Sequence, residues 1–123
     1  MGTPPTPFAV EIESIVKRYG ISPEEAAISL ERRKVYGDPF VNHTGIAMGW
    51  AGLLQPWAAK IAAMEPLPPH VVALMMATLK TNRMRQAFKE DNYIDASVYL
   101  AFARAWQKEY DADLKNVPKE TPS

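Results

Sequence analysis

At 123 residues the chain is the size of one domain, and its apolar fraction of 47% is that of an ordinary globular protein. Fourteen basic residues balance fourteen acidic ones, so no strong overall field draws it to nucleic acid or to an anionic membrane. The absence of cysteine excludes disulfides, thiolate nucleophiles and zinc–thiolate sites, and points any metal toward a hard cation on carboxylates, such as Mg2+.

The opening Met1-Gly2-Thr3-Pro4-Pro5-Thr6-Pro7 lacks the basic start and apolar run of a secretory signal, and no run reaches the ~18 apolar residues of a membrane span. A soluble, cytoplasmic protein with no membrane partner is expected. Residues 1–7 and 115–123 have little to bury and read as disordered tails on a single helical domain at 8–114.

Phe8 to Tyr19 carries Phe8, Ile12, Ile15 and Val16 at helical spacing and stops at Gly20, which predicts a first helix. Ser22-Pro23-Glu24-Glu25 is a start signal for a second, running to Tyr36 and ending at Gly37. Asp38-Pro39 reads as a break, with a third helix from Asn42 or Thr44 on the stripe His43, Ala47, Trp50, Leu54, Trp57, Ile61, Met64. Pro56 either kinks that helix or opens a new one after Gln55. Pro69 leads a fourth helix over His70 to Lys89, and a fifth spans Asn92 to Leu114. No segment shows strand alternation, so the fold class is all-α: a compact bundle of four to five helices built on an antiparallel hairpin of the last two.

That hairpin joins a basic helix end, Lys80 and Arg83, to an acidic start, Asp91 and Asp95. On the expected stripes Arg83 continues Val72, Met76 and Leu79, while Asp95 leads into Val98, Phe102 and Ala105. Charges so placed must be paired or serve a ligand. In one reading Lys80 and Arg83 bridge to the two acids; in the other they hold a phosphate, for which an arginine fork and a lysine point charge are suited. Asp91 and Asp95, four apart, either favour the positive helix end or hold one divalent cation, with Tyr99 a turn on as a donor to Asp95. Arg32-Arg33-Lys34 closes the second helix and leads through Tyr36 to His43, which is either a hydrogen-bonded core residue or part of a site. No nucleophile elbow, phosphate-binding loop or metalloprotease motif is present, and no catalytic residue can be named.

The series Arg33-x-x-Tyr36-Gly37-Asp38-Pro39-x-x-Asn42, Trp50, Leu79-Lys80-x-x-Arg83 and Asp91-Asn92-x-x-Asp95-x-x-x-Tyr99 resembles a family of small helical proteins of unassigned function from tailed bacteriophages and prophages, over Leu30 to Phe102. That family is in turn distantly similar to the MazG-like all-α nucleoside triphosphate pyrophosphatases, which bind magnesium through E-x-x-E and E-x-x-D pairs. Here Lys80 and Arg83 stand where the first acidic pair would be. The resemblance implies a phage accessory protein in the host cytoplasm that binds a nucleotide or another phosphorylated ligand, or a degenerate pyrophosphohydrolase. Arg33, Lys80 and Arg83 would meet phosphates, Tyr36, His43, Trp50 and Tyr99 would line the rest of the pocket, and Asp91 and Asp95 would hold Mg2+ or orient those bases. The alternative is a non-enzymatic protein that acts by binding a host or phage partner, its charged cluster being structural. Short helices with many large apolar residues also favour a homo-oligomer.

Overall fold

The computed structural model describes residues 6–116, and the expected tails fall largely outside that range. Among the described residues there are six α-helices and no strand: α1 (Pro7–Tyr19), α2 (Pro23–Tyr36), α3 (Pro39–Leu54), a 3-10 turn (Gln55–Trp57), α4 (Ala58–Ala62), α5 (Pro69–Met84) and α6 (Glu90–Asn116). None is long and apolar enough to cross a membrane.

The starts are set by caps. Thr6 Oγ1 accepts from Ala9 N, and Ser22 and Glu25 form a reciprocal box in which Ser22 Oγ accepts from Glu25 N and Glu25 Oε1 accepts from Ser22 N, each at 3.1 Å. These bonds hold the Glu25 carboxyl below its ordinary range. Asp38 Oδ1 accepts from Phe40 N at 2.8 Å and Val41 N at 3.3 Å, so Asp38-Pro39 starts α3 rather than breaking the chain ahead of it. Gly20 at φ 64° and Gly37 at φ 77° close α1 and α2 in the left-handed region that suits glycine. Pro56 falls in the 3-10 turn, which takes the chain out of α3.

α5 and α6 form the antiparallel hairpin: Lys80 meets Asp95 near the turn, and the rings of His70 and Tyr110 lie 5.2 Å apart at the far end. Their buried faces are built from small side chains, Ala73 and Ala77 on α5 and Ala96 and Ala103 on α6, which let the two backbones approach. The expected core stripes are therefore corrected. Val72, Val98 and Phe102 are 46%, 44% and 44% exposed, because bulky residues in those registers lie away from the alanine-lined seam. The expected stripe of α3 also shifts by about a residue, to Asn42 and Ile46, leaving His43 and Ala47 exposed.

α3 packs on α5 through two glycines. A methyl group on Gly49 would meet Thr78 Cγ2 at 2.6 Å, and one on Gly45 would run into the Asn82 amide. Asn82 Nδ2 in turn donates to the Asn42 carbonyl at 3.0 Å and Oδ1 at 2.7 Å, and Trp50 Nε1 donates to the Met75 carbonyl at 2.7 Å. α1 and α2 form a second, smaller unit around Ile15, Ala26 and Leu30. Ala87 N, donating to the Val35 carbonyl at 3.3 Å, ties the α5–α6 turn to the end of α2.

Candidate functional site

A cleft of about 520 Å³ opens where the end of α2, the start of α3 and the end of α5 converge. Its α2 wall is one helical face, Glu25, Ser29, Arg32, Arg33 and Tyr36; α3 contributes Pro39, Asn42 and His43, and α5 contributes Arg83. Asp38 positions the α3 wall by capping it, and the Asn42–Asn82 bonds fix α3 against α5.

Positive charge here is not neutralised by the described residues. Among the described residues the salt bridges are Lys34–Glu31, Lys60–Glu65 and Lys80–Asp95, so Arg32, Arg33 and Arg83 have no carboxylate partner. The Nε atoms of Arg33 and Arg83 are buried and meet no acceptor. Burying a guanidinium N–H without an acceptor is costly, and an anion in the cleft would offset the unpaired positive charge of these arginines. The carboxylate that lines the same cleft, Glu25, is engaged in the cap of α2.

Tyr36 separates this cleft from a smaller one of about 350 Å³ lined by Glu31, Arg32, Val35, Arg83 and Lys89. The Arg83 guanidinium lies 4.7 Å from the centroid of the Tyr36 ring, and Lys89 Nζ donates to Tyr36 Oη at 3.1 Å. The Lys89 hydrogen bond, helped by the charges of Lys89, Arg83 and Lys80, lowers the phenol pKa against the opposing effect of burial. The same bond raises Lys89. His43 Nδ1 is 2.6 Å from the Pro39 carbonyl, which can only accept, so Nδ1 carries the proton and Nε2 is left to act as an acceptor in the neutral ring.

Of the residues expected in a site, Arg33, Tyr36, His43 and Arg83 share this cleft. Lys80 does not line it: its ammonium is 2.9 Å from Asp95 Oδ2 across the hairpin, with 17% of its side chain exposed. Trp50 lies about two turns along α3 from His43 and is fixed by its bond to Met75. Tyr99 is half-buried on α6, one turn beyond Asp95, and is not among the lining residues either. Asp91 is exposed at the start of α6, and among the described residues no three histidine or carboxylate side chains converge. Asp91 and Asp95 thus fit a Mg2+ ion poorly, since one carboxylate is held by a lysine and no third carboxylate joins them among the described residues.

Two basic residues that line these clefts were not expected there. Arg32 follows from the spacing Arg32 to Tyr36 on the cleft face of α2, whereas Lys89 reaches Tyr36 only through the tertiary turn after α5, for which no local pattern exists.

A profile for a domain of unknown function, DUF6378, matches residues 22–107. The chain belongs to this family. No curated protein and no solved structure matches it. The DUF6378 region begins at Ser22, the cap of α2, and takes in every polar residue lining the larger cleft, while α1 lies before it and the last turns of α6 follow it.

Proposed function

We propose that this DUF6378 protein binds a phosphorylated small molecule of the nucleotide class in the cleft between α2, α3 and α5. The observation that carries this reading is the pair of arginines from different helices, Arg33 and Arg83, which line one cleft without a carboxylate partner among the described residues. Two forks without carboxylates suit the several oxygens of a phosphoryl group. Tyr36 and His43 supply flat faces and, at His43 Nε2, an acceptor for a base or sugar. The cleft's size is within the range of small-molecule sites. The resemblance to phage proteins, and through them to MazG-like pyrophosphatases, supports nucleotides over other phosphorylated ligands and a phage accessory role.

Binding is the activity proposed. The carboxylates that would carry magnesium in a pyrophosphatase are replaced here by Lys80 and Arg83, and Asp95 is spent on Lys80. The test is a thermal-shift and calorimetric screen of inorganic phosphate, pyrophosphate and nucleoside mono-, di- and triphosphates, each with and without Mg2+. A ligand at roughly a hundred times its Kd adds about 2.7 kcal/mol of stability, a shift of several degrees. Arg33→Ala and Arg83→Ala should each abolish that shift. If no phosphorylated compound raises the melting temperature, or if the arginine variants respond like the parent, the reading fails.

A further inference from the structure

The turn between α5 and α6 brings Lys89 to Tyr36 by fixed contacts. Ala87 N donates to the Val35 carbonyl at 3.3 Å, and the Gln86 side chain lies against Gly37, where an added methyl group would meet it at 2.9 Å. The turn is thus seated on the end of α2, and Lys89 follows it in the chain. Lys89 Nζ donates to Tyr36 Oη at 3.1 Å, which uses one of the three ammonium N–H groups and a lone pair of the phenol. Two ammonium hydrogens and the phenol O–H are left as donors, and neither group makes a further hydrogen bond among the described residues. The Lys89 bond makes the phenol more acidic and so a stronger donor.

These donors face the smaller cleft together with Arg32 and Arg83. The Arg83 guanidinium is 4.7 Å and Lys89 Nζ 5.6 Å from the Tyr36 ring centroid, so two cations lie within ~10 Å of each other around one phenol. The lining sets three cations against one carboxylate, Glu31, and that carboxylate is engaged by Lys34 at 3.3 Å. Glu90 and Asp91 stand outside the lining on the exposed start of α6, and the Asp91 charge acts on Lys89 less than the phenol does. Arg32, Tyr36 and Arg83 are walls of the larger cleft as well, so one ligand can reach both clefts past the Tyr36 ring.

We propose that the smaller cleft is a second anion subsite, and that the ligand is a nucleotide with at least two phosphoryl groups: one held in the larger cleft by Arg33 and Arg83, the other by Lys89, Arg32 and the Tyr36 hydroxyl. The proposal rests on the reading of the larger cleft as a phosphate site. Two phosphoryl groups occur either as an anhydride chain or at separate positions of one nucleoside, and both place anionic oxygens on the two sides of the ring.

Isothermal titration calorimetry without Mg2+ compares a nucleoside 5′-monophosphate with its 5′-diphosphate and its 3′,5′-bisphosphate. At least one of the two-phosphoryl ligands should bind about tenfold or more tighter than the monophosphate, through added charge-assisted hydrogen bonds. Whichever gains identifies the chain or the separate phosphates as the source. Lys89→Met should cut that advantage to about twofold or less, while Lys89→Arg should keep it. Lys89 is exposed, so both variants should fold. Arg33→Ala should weaken all three ligands together. Equal affinity for the three, or an advantage unchanged in Lys89→Met, overturns the second subsite and leaves the reading of the larger cleft standing. A loss in Lys89→Met shared equally by the monophosphate also overturns it, since Lys89 would then act only by holding Tyr36. Failure of all three to bind overturns both.

Discussion

The Arg83 guanidinium rests 4.7 Å from the centroid of the Tyr36 ring, so the end of α5 is fastened to the end of α2 by a cation on an aromatic face. The contact orients a guanidinium whose Nε has no acceptor among the described residues, and it leaves the edge of the ring to Lys89. Tyr36→Leu keeps apolar bulk and removes the π-face. It should weaken binding of whichever phosphorylated ligand the screen identifies, by about 1 kcal/mol or fivefold in Kd, read by calorimetry, whereas Tyr36→Phe should retain most of the affinity.

Lys89 sets the ionisation of the same ring. In the folded protein Tyr36 loses its proton below the ordinary tyrosine range, chiefly through the Lys89 hydrogen bond, and Lys89 holds its proton above the ordinary lysine range. Stability from the lowered phenol therefore grows as pH rises through the folded Tyr36 value. Stability from Lys89 is present below its unfolded pKa and is lost as pH rises through its raised folded value. In an ultraviolet absorbance titration the earliest tyrosine to ionise should vanish in Tyr36→Phe and move to higher pH in Lys89→Met. An unchanged titration in Lys89→Met would show that the hydrogen bond does not govern the phenol.

The Lys80–Asp95 bridge joins the two limbs of the hairpin at 2.9 Å with the lysine largely covered. Lys80→Met and Asp95→Leu should each destabilise the fold, and the double variant should be less destabilised than the sum, with a coupling of about 1 kcal/mol in denaturant titrations. Ligand affinity should persist in the double variant, because neither residue lines the larger cleft. Loss of affinity there would place the bridge in the binding machinery.

Gly49 is where α3 and α5 come close enough to exclude a methyl group, the obstacle being Thr78 Cγ2 at 2.6 Å. Gly49→Ala should cost about 1–3 kcal/mol by overpacking, despite the better helix propensity of alanine. In a Thr78→Ser background the obstructing methyl is gone, and the same change should be neutral or stabilising. Equal penalties in both backgrounds would mean that the helices are not held at this separation.

The capping box of α2 makes a pH-dependent prediction. Ser22→Ala should cost about 1 kcal/mol near neutrality. Because the Glu25 pKa is lowered in the folded state, its contribution is present above the unfolded value and is lost as pH falls through the folded one. The gap between parent and Ser22→Ala should narrow in acid, as seen in melting temperatures taken from pH 7 downward.

Punctuation was the most legible part of this sequence. Gly20, Ser22-Pro23, Gly37 and Pro69 each mark an observed helix boundary, because caps and proline act locally. Asp38-Pro39 reads as a break because Asp-Pro fits both a turn and an N-cap, and only the bonds from Phe40 and Val41 decide. Register was least legible where alanine forms the seam: large residues such as Val98 and Phe102 gave the stronger helical stripe, although α5 covers the weaker one. Within the cleft, Arg33, Tyr36 and His43 lie close along the chain around one turn, whereas Lys80 and Arg83 look equivalent in sequence and differ only in what α6 brings to them. Asp95 reaches the first and leaves the second.

The separate cluster of Ile15, Ala26 and Leu30 has a dynamic consequence. The α1–α2 unit carries its own small core and meets the remainder of the fold through few contacts, so it is expected to open as a foldon of lower stability than the α5–α6 seam. Amide hydrogens of α1 and α2 should exchange faster than those of Val71 to Ala77, with a lower free energy of opening. An anion bridging Arg33 and Arg83 would join the two foldons, and the exchange rates of α2 would then fall toward those of α5.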